Sequence, residues 1–184
     1  MAIIFFSINV YAQKIKTVSG DVSVLKNEST VNIEFVYDGM TVGKYSNEKE
    51  YLNKKKEEYN KKEPGRGDTW SKSWVTDRAS RFEPKFIELF LQSTRMNLKR
   101  DAKYTLIFKT TSTEPGYNIG ISRKNAEIDA EAWIVETANK AKKIAIITVT
   151  NAPGRMFGGY DFDTGSRIAE AYAVSGKKLG SYIK

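Results

Sequence analysis

The chain has 184 residues, of which 30 are lysine or arginine and 22 aspartate or glutamate, giving a net charge of +8, and it contains neither cysteine nor histidine. A chain of this length forms one domain able to bury a sizeable core without covalent staples. The two missing residue types exclude disulfides, thiolate nucleophiles, Ser-His-Asp triads and cysteine- or histidine-based zinc and iron sites, so any catalysis would rest on carboxylates, lysine, tyrosine or hydroxyls.

Residues Ala2 to Val10 are almost wholly apolar, and Val10, Tyr11 and Ala12 place compact residues before Gln13, the pattern of a signal peptide over residues 1–12. A buried edge strand is the competing reading. The run is too short for the ~20 apolar residues that span a bilayer, and no other segment could cross one. No cysteine follows it, so no lipidated anchor is expected, and the remaining chain, 13–184, is expected in the periplasm or outside the cell.

Asp21 to Leu25 and Val31 to Tyr37 alternate and are separated by Lys26-Asn27-Glu28-Ser29, which predicts a β-hairpin ended by Asp38-Gly39. A helix is expected from Ser46 or Asn47 to about Lys62, with Asn47 and Glu50 at capping-box spacing. Glu48 to Glu63 holds six lysines and five glutamates, a nearly neutral, solvated helix face rather than a nucleic-acid patch. Pro64-Gly65-Arg66-Gly67-Asp68 reads as an exposed break. A second helix starts near Phe82 with Pro84 in its first turn and Phe82, Phe86, Leu89 and Phe90 on one face.

Strands are then expected over Tyr104–Thr110, Ala126–Glu136 and Ile144–Thr150. In the middle one Ile128, Ala130, Ala132 and Ile134 alternate with Glu127, Asp129, Glu131 and Trp133, so one face is apolar and the other wet. A last helix begins after Asp163 and presents Ile168, Ala171, Tyr172, Leu179 and Ile183. The order ββ-αα-βββ-α lacks regular strand-helix alternation. It predicts a single α+β domain, with a mostly antiparallel or mixed five-stranded sheet and about three helices on one face.

Several short motifs have plainer explanations. Asp163-Thr164-Gly165 matches the aspartic-protease signature, but only one copy is present and a helix follows it, so a helix cap is preferred. Asp161-Phe162-Asp163 opens like a calcium loop, yet Gly165 and Tyr172 stand where ligands belong. Ser46 to Lys49 and Ser175 to Lys178 share the S-x-x-K spacing without the other elements of penicillin-binding enzymes. Arg66-Gly67-Asp68 spells an adhesion tripeptide in a turn that needs glycine anyway. Trp70 and Trp74, near Lys72 and Arg78, could stack on bases or sugars, but four-residue spacing suits a short helix covering the core.

If the last three strands form a meander, the loops after the first and the third leave the same end of the sheet. These are Glu114-Pro115-Gly116-Tyr117-Asn118-Ile119-Gly120 and Pro153-Gly154-Arg155-Met156-Phe157-Gly158-Gly159-Tyr160-Asp161. Glycine lets a backbone approach a ligand, aromatics give contact area at low entropy cost and arginine grips a carboxylate or phosphate. The candidate ligand-binding residues are therefore Tyr117, Asn118, Arg123, Arg155, Phe157, Tyr160 and Asp161; no catalytic residue, metal site or cofactor is assigned. The same sequences also suit long turns whose glycines serve positive φ.

The stretch from Tyr104 onward, with Glu114 to Gly120 and Gly158-Gly159-Tyr160-Asp161-Phe162-Asp163, resembles uncharacterised exported proteins of gut Bacteroidetes. More loosely, the element order is similar to small α/β domains of envelope lipoproteins, including curli-export-like accessory proteins, from which this chain departs in lacking a lipidated cysteine. The resemblance implies an envelope location and no particular chemistry. The expectation is a non-enzymatic binding or assembly-accessory domain for an anionic or protein partner in the envelope, with no nucleic-acid partner. The alternative is a carboxylate-based hydrolase acting on an envelope polymer, pairing Glu114 with Asp161 or Asp163.

Overall fold

A computed structural model of the protein describes residues 13–119, 122–154 and 163–184; the expected signal peptide lies outside them. In chain order the strands are β1 (Lys14–Gly20), β2 (Thr30–Val36), β3 (Thr41–Val42), β4 (Asn97–Leu98), β5 (Tyr104–Glu114), β6 (Tyr117–Ile119), β7 (Ser122–Lys124), β8 (Ala126–Glu136) and β9 (Asn139–Gly154). The helices are α1 (Glu48–Lys62), α2 (Arg66–Asp77), α3 (Glu83–Thr94) and α4 (Thr164–Ile183). A π-helical turn, Arg78–Phe82, joins α2 to α3, so the four helices make three bodies.

Seven strands form one mixed sheet in the order β1-β9-β8-β5-β2-β4, with β3 beside the far end of β5; β6 and β7 make a separate ribbon. Strands β5, β8 and β9 are the expected antiparallel meander, and β1 adds antiparallel to β9. Strand β2 runs parallel to β5, from Asn32 opposite Thr105 to Val36 opposite Lys109. A parallel pair needs a long crossover, and α1 to α3 supply it.

Alternation along the strands decides which side is covered. Val31 and Ile33 on β2, Leu106 and Phe108 on β5, Ile128 to Ile134 at even positions on β8, and Ala145, Ile147 and Val149 on β9 are buried on one face. Against them pack Phe82, Phe86 and Phe90 and, from α4, Ile168, Ala171, Tyr172, Leu179 and Ile183. Phe86 lies 4.4 Å from Phe108, centroid to centroid, and Phe82 stacks on Tyr172 at 5.3 Å. Helices α3 and α4 approach closely because Gly176 faces the backbone of Phe86 and Gly180 that of Phe90. The other face of the sheet carries Glu34, Lys109, Glu127, Asp129, Glu131 and Trp133. At the outer edge Thr17 of β1 donates its N–H to the Tyr182 hydroxyl (3.0 Å), which also meets the Thr17 Oγ1 (2.9 Å).

The α+β class, the meander, the wet and dry faces of β8 and the apolar stripe of α4 agree with the sequence expectation, while the strand count and several elements do not. Asp21–Leu25 is not a strand: Asp21 accepts bonds from the Ser23 N–H (2.8 Å) and hydroxyl (2.7 Å) and caps a single 3-10 turn, Val22–Leu25. The expected first hairpin is therefore absent, and β2 pairs instead with strands far along the chain. Arg66-Gly67-Asp68 is not an exposed loop but the first turn of α2. There Gly67 is buried so tightly that a Cβ would sit 2.1 Å from the Lys56 carbonyl oxygen. Helix α3 starts beside Phe82 with Pro84 in its first turn, as expected, but α2 runs into it through the π turn. The segment after Glu114 is a ribbon, not an irregular loop.

Candidate functional site

The meander brings the last residues of β5 and β9, from which the two expected loops start, to one end of the sheet. Glu127 on β8 lies between Glu114 of β5 and Pro153 of β9, so the chain leaves β5 and β9 on either side of it. Beyond Glu114 the β6–β7 ribbon places Asn118 opposite Arg123 and Tyr117 opposite Lys124. Tyr117 is 42% exposed. Of the candidate residues, Tyr117, Asn118 and Arg123 are thus brought together on one ribbon, while Arg155, Phe157, Tyr160 and Asp161 lie outside the described residues.

The base of the ribbon is held from both sides. Gly116 adopts φ 67°, and a Cβ there would lie 2.5 Å from the Lys124 carbonyl oxygen, so the turn requires glycine twice over. Its N–H donates to Glu114 Oε1 (3.0 Å), and Lys124 Nζ donates to Glu114 Oε2 (2.6 Å). From α4, Arg167, only 5% exposed, donates Nε to the Pro115 carbonyl (3.1 Å) and an Nη to that of Gly116 (3.4 Å), and also reaches the Thr164 hydroxyl (3.1 Å). A buried guanidinium fixed by backbone carbonyls makes the turn rigid relative to the helix.

Asp163 is the cap of α4. Its Oδ1 accepts from the Ser166 N–H (3.2 Å) and its Oδ2 from the Ser166 hydroxyl (2.8 Å), and Arg81 from the π turn grips both oxygens at 3.0 and 2.5 Å. The Arg81 guanidinium, helped by the Ser166 bonds, holds this carboxyl well below the usual carboxylate range. Asp77, which touches Arg81 at 3.4 Å, is shifted upward, chiefly by burial. A carboxylate so firmly ionised neither shares nor donates a proton, so the D-T-G string serves as a cap.

The other motifs resolve in the same structural way. The Ser175 hydroxyl is buried and donates to the Ala171 carbonyl (2.8 Å), and that of Ser46 donates to Glu50 (3.0 Å). Trp74 is buried with its Nε1 on Glu48 Oε1 (2.6 Å), in a ring cluster with Tyr45, Tyr51, Trp70 and Tyr59 that seals α1 and α2 together. Among the described residues no three histidine, cysteine or acidic side chains stand where they could hold a metal ion.

A polar network beneath the helices escaped the sequence reading. The Tyr37 hydroxyl donates to Glu83 (3.2 Å), the Arg78 guanidinium lies 4.2 Å from the Tyr37 ring centroid and pairs with Glu48, and the Tyr172 hydroxyl bonds to Thr110. Burial pushes the Tyr37 and Tyr172 phenols up, so both stay neutral. Partners such as Tyr37 and Glu83, 46 positions apart, leave no local signal in a single sequence.

No known protein family model matches the chain, and no curated protein matches it. Among solved structures it is similar to the PelC dodecamer from Paraburkholderia phytofirmans, with 11% identity over 94% of this chain and 97% of that one and a TM-score of 0.41. A methionine-for-leucine variant of that dodecamer gives 11% identity over 89% and 97%, with a TM-score of 0.39. Likeness at this level identifies neither a shared fold nor a shared activity.

Proposed function

We propose that the protein is an exported, non-enzymatic binding or assembly-accessory domain that recognises an anionic or protein partner of the cell envelope through the loop end of its sheet. The observation that carries this reading is that buried Arg167 braces the base of the ribbon bearing exposed Tyr117: rigid presentation of Tyr117 lowers the ordering cost of binding. Excess positive charge and the arginines Arg123 and Arg155 suit an anionic group on the partner. Among the described residues no helix is long and apolar enough to cross a membrane, in keeping with a domain that meets its partner from solution. The hydrolase alternative lacks comparable support, since Glu114 and Asp163 are each engaged by a cation and by a backbone N–H.

The test is capture of solubilised envelope components by the wild-type chain and by a variant with Tyr117, Arg155, Phe157 and Tyr160 changed to alanine and the same circular dichroism and melting temperature. Loss of a specific captured component in the variant is the expected outcome. Equal capture by both, or none by either, would reduce the ribbon and loops to structural turns.

A further inference from the structure

The end of the sheet away from the loops gathers nearly all of the chain's excess charge. There β5 starts at Tyr104 opposite Glu136, the last residue of β8, and Glu136 stands opposite Asn139 at the start of β9. Strand β2 starts beside β4, with Thr30 opposite Asn97, and β1 stops at Gly20 opposite Ala145. Helices α3 and α4 finish at the same end, where Thr94 and Ile183 line one small cavity with Lys26 and Glu28. The segments 21–29, 95–103, 136–143 and 177–184 together hold eleven lysines and arginines, all exposed, against four acids. The whole chain has 30 against 22, so what remains is close to neutral.

Two of the four acids are already engaged, Glu28 by Lys103 at 3.7 Å and Asp101 by Lys99 at 3.5 Å. Among the described residues the ion pairs include none made by Lys26, Arg95, Arg100, Lys142, Lys177 or Lys178. The helix dipole does not account for Lys177 and Lys178, because it acts within the last turn and α4 has no basic residue there. Within this patch Leu98, on the two-residue strand β4, is 48% exposed, with Arg95 before it and Lys99 and Arg100 after it. Arg95 ends α3 at φ 59°, a left-handed position where glycine or asparagine is usual, yet a cation is kept there.

We propose that this end of the molecule docks on an anionic phospholipid surface, with Leu98 entering the headgroup layer and the cations around it facing lipid phosphates. Nine of the eleven cations are lysines, flexible point charges that follow a fluid layer of headgroups, rather than the planar arginine forks that grip one fixed anion. A bilayer interface buries an exposed leucine set among cations, whereas a soluble polyanion leaves it in water. Strand β5, 11 residues or ~37 Å long, leads away from this end, so the loop end stays clear of the lipid and open to a partner.

Co-sedimentation of the full chain with vesicles tests this. At low salt, vesicles of mixed phosphatidylglycerol and phosphatidylcholine should bind it at least about a hundredfold more tightly than phosphatidylcholine alone, and the ratio should shrink as salt rises. Each basic residue at such a surface strengthens binding about fivefold, so Lys99→Gln with Arg100→Gln should weaken it about 25-fold. Lys54→Gln with Lys61→Gln removes the same charge from exposed positions on α1 and should change it less than about twofold. Leu98→Ser should weaken binding about tenfold at every salt concentration. Matched melting temperatures keep folding apart from binding. Equal binding to the two kinds of vesicle, or equal losses in the two glutamine pairs, would overturn the proposal. Binding that depends on Lys99 and Arg100 but not on Leu98 would mark a site for a soluble polyanion and overturn it as well.

Discussion

Replacing Gly176 by alanine sets two effects of opposite sign against each other. In a helix interior alanine is favoured over glycine by about 1 kcal/mol, so α4 alone would gain from the change. At this position, however, the new Cβ would lie 2.3 Å from the Phe86 carbonyl oxygen and 3.0 Å from its Cα. Both atoms are backbone, held in α3 by its own hydrogen bonds, and cannot swing aside as a side chain tip could. The helices must separate by about 1 Å to restore an ordinary contact, loosening the packing of Phe86 and Phe90. A contact this short with backbone belongs in the upper part of the overpacking range, about 2–3 kcal/mol, which outweighs the propensity gain. The expected result is net destabilisation of about 1–2 kcal/mol, a drop of about 2–8 °C in melting temperature for a chain of this size. Urea unfolding of Gly176→Ala beside an exposed helix control, Ser181→Ala, measures it. A variant as stable as the wild type, or more so, would refute the close approach of α3 and α4.

Other residues give separate tests. Asp163→Asn keeps a capping oxygen but loses the charged pair with Arg81, and should cost about 1 kcal/mol at neutral pH after solvent screening of this half-exposed group. Because the folded-state carboxyl is held below its unfolded value, its contribution is present above about pH 4 and lost as pH falls further. Urea midpoints of variant and wild type should therefore converge in acid, and a constant gap down to pH 2 would contradict the pairing. Tyr172→Phe strands the buried Thr110 hydroxyl and should destabilise by about 1–3 kcal/mol, whereas Tyr172→Phe with Thr110→Val should recover part of the loss in a double-mutant cycle. Burial raises the Tyr37, Tyr51 and Tyr172 phenols. The folded chain therefore holds protons there that the unfolded chain releases, and stability should fall as pH rises through about 10. Ultraviolet titration should show those three ionising only as the fold is lost, and free titration with the exposed tyrosines would contradict their burial.

The parts of the fold that alternate or repeat over many residues were legible in the sequence. Strand β8 and helix α4 each carry a long apolar period, and Asn47 caps α1 with its side chain on the Glu50 N–H at 2.9 Å. What misled was short range. Val22 and Val24 alternate like a strand, but the Asp21 side chain satisfies the local backbone and bends it into a turn. Pro64 and Gly65 mark a break that lasts only two or three residues, so α2 begins within the string read as a loop. The parallel pairing of β2 with β5 joins residues 73 positions apart, as Asn32 and Thr105 do, and no local pattern announces it. At the loop end the aromatic and glycine content of the ribbon was readable. The buried Arg167 that braces it was not, because an arginine on a helix ordinarily lies at the surface.

The contact between Thr17 and Tyr182 joins positions 165 apart. Strand β1 is among the first parts of the described chain to be made, yet its partner β9 follows more than a hundred residues later, and the hydroxyl that closes its outer edge belongs to the last turn of α4. During synthesis the Thr17 N–H therefore waits without this partner until α4 has emerged. A chain stopped short of Tyr182 would leave the Thr17 N–H on that edge strand open to other strands.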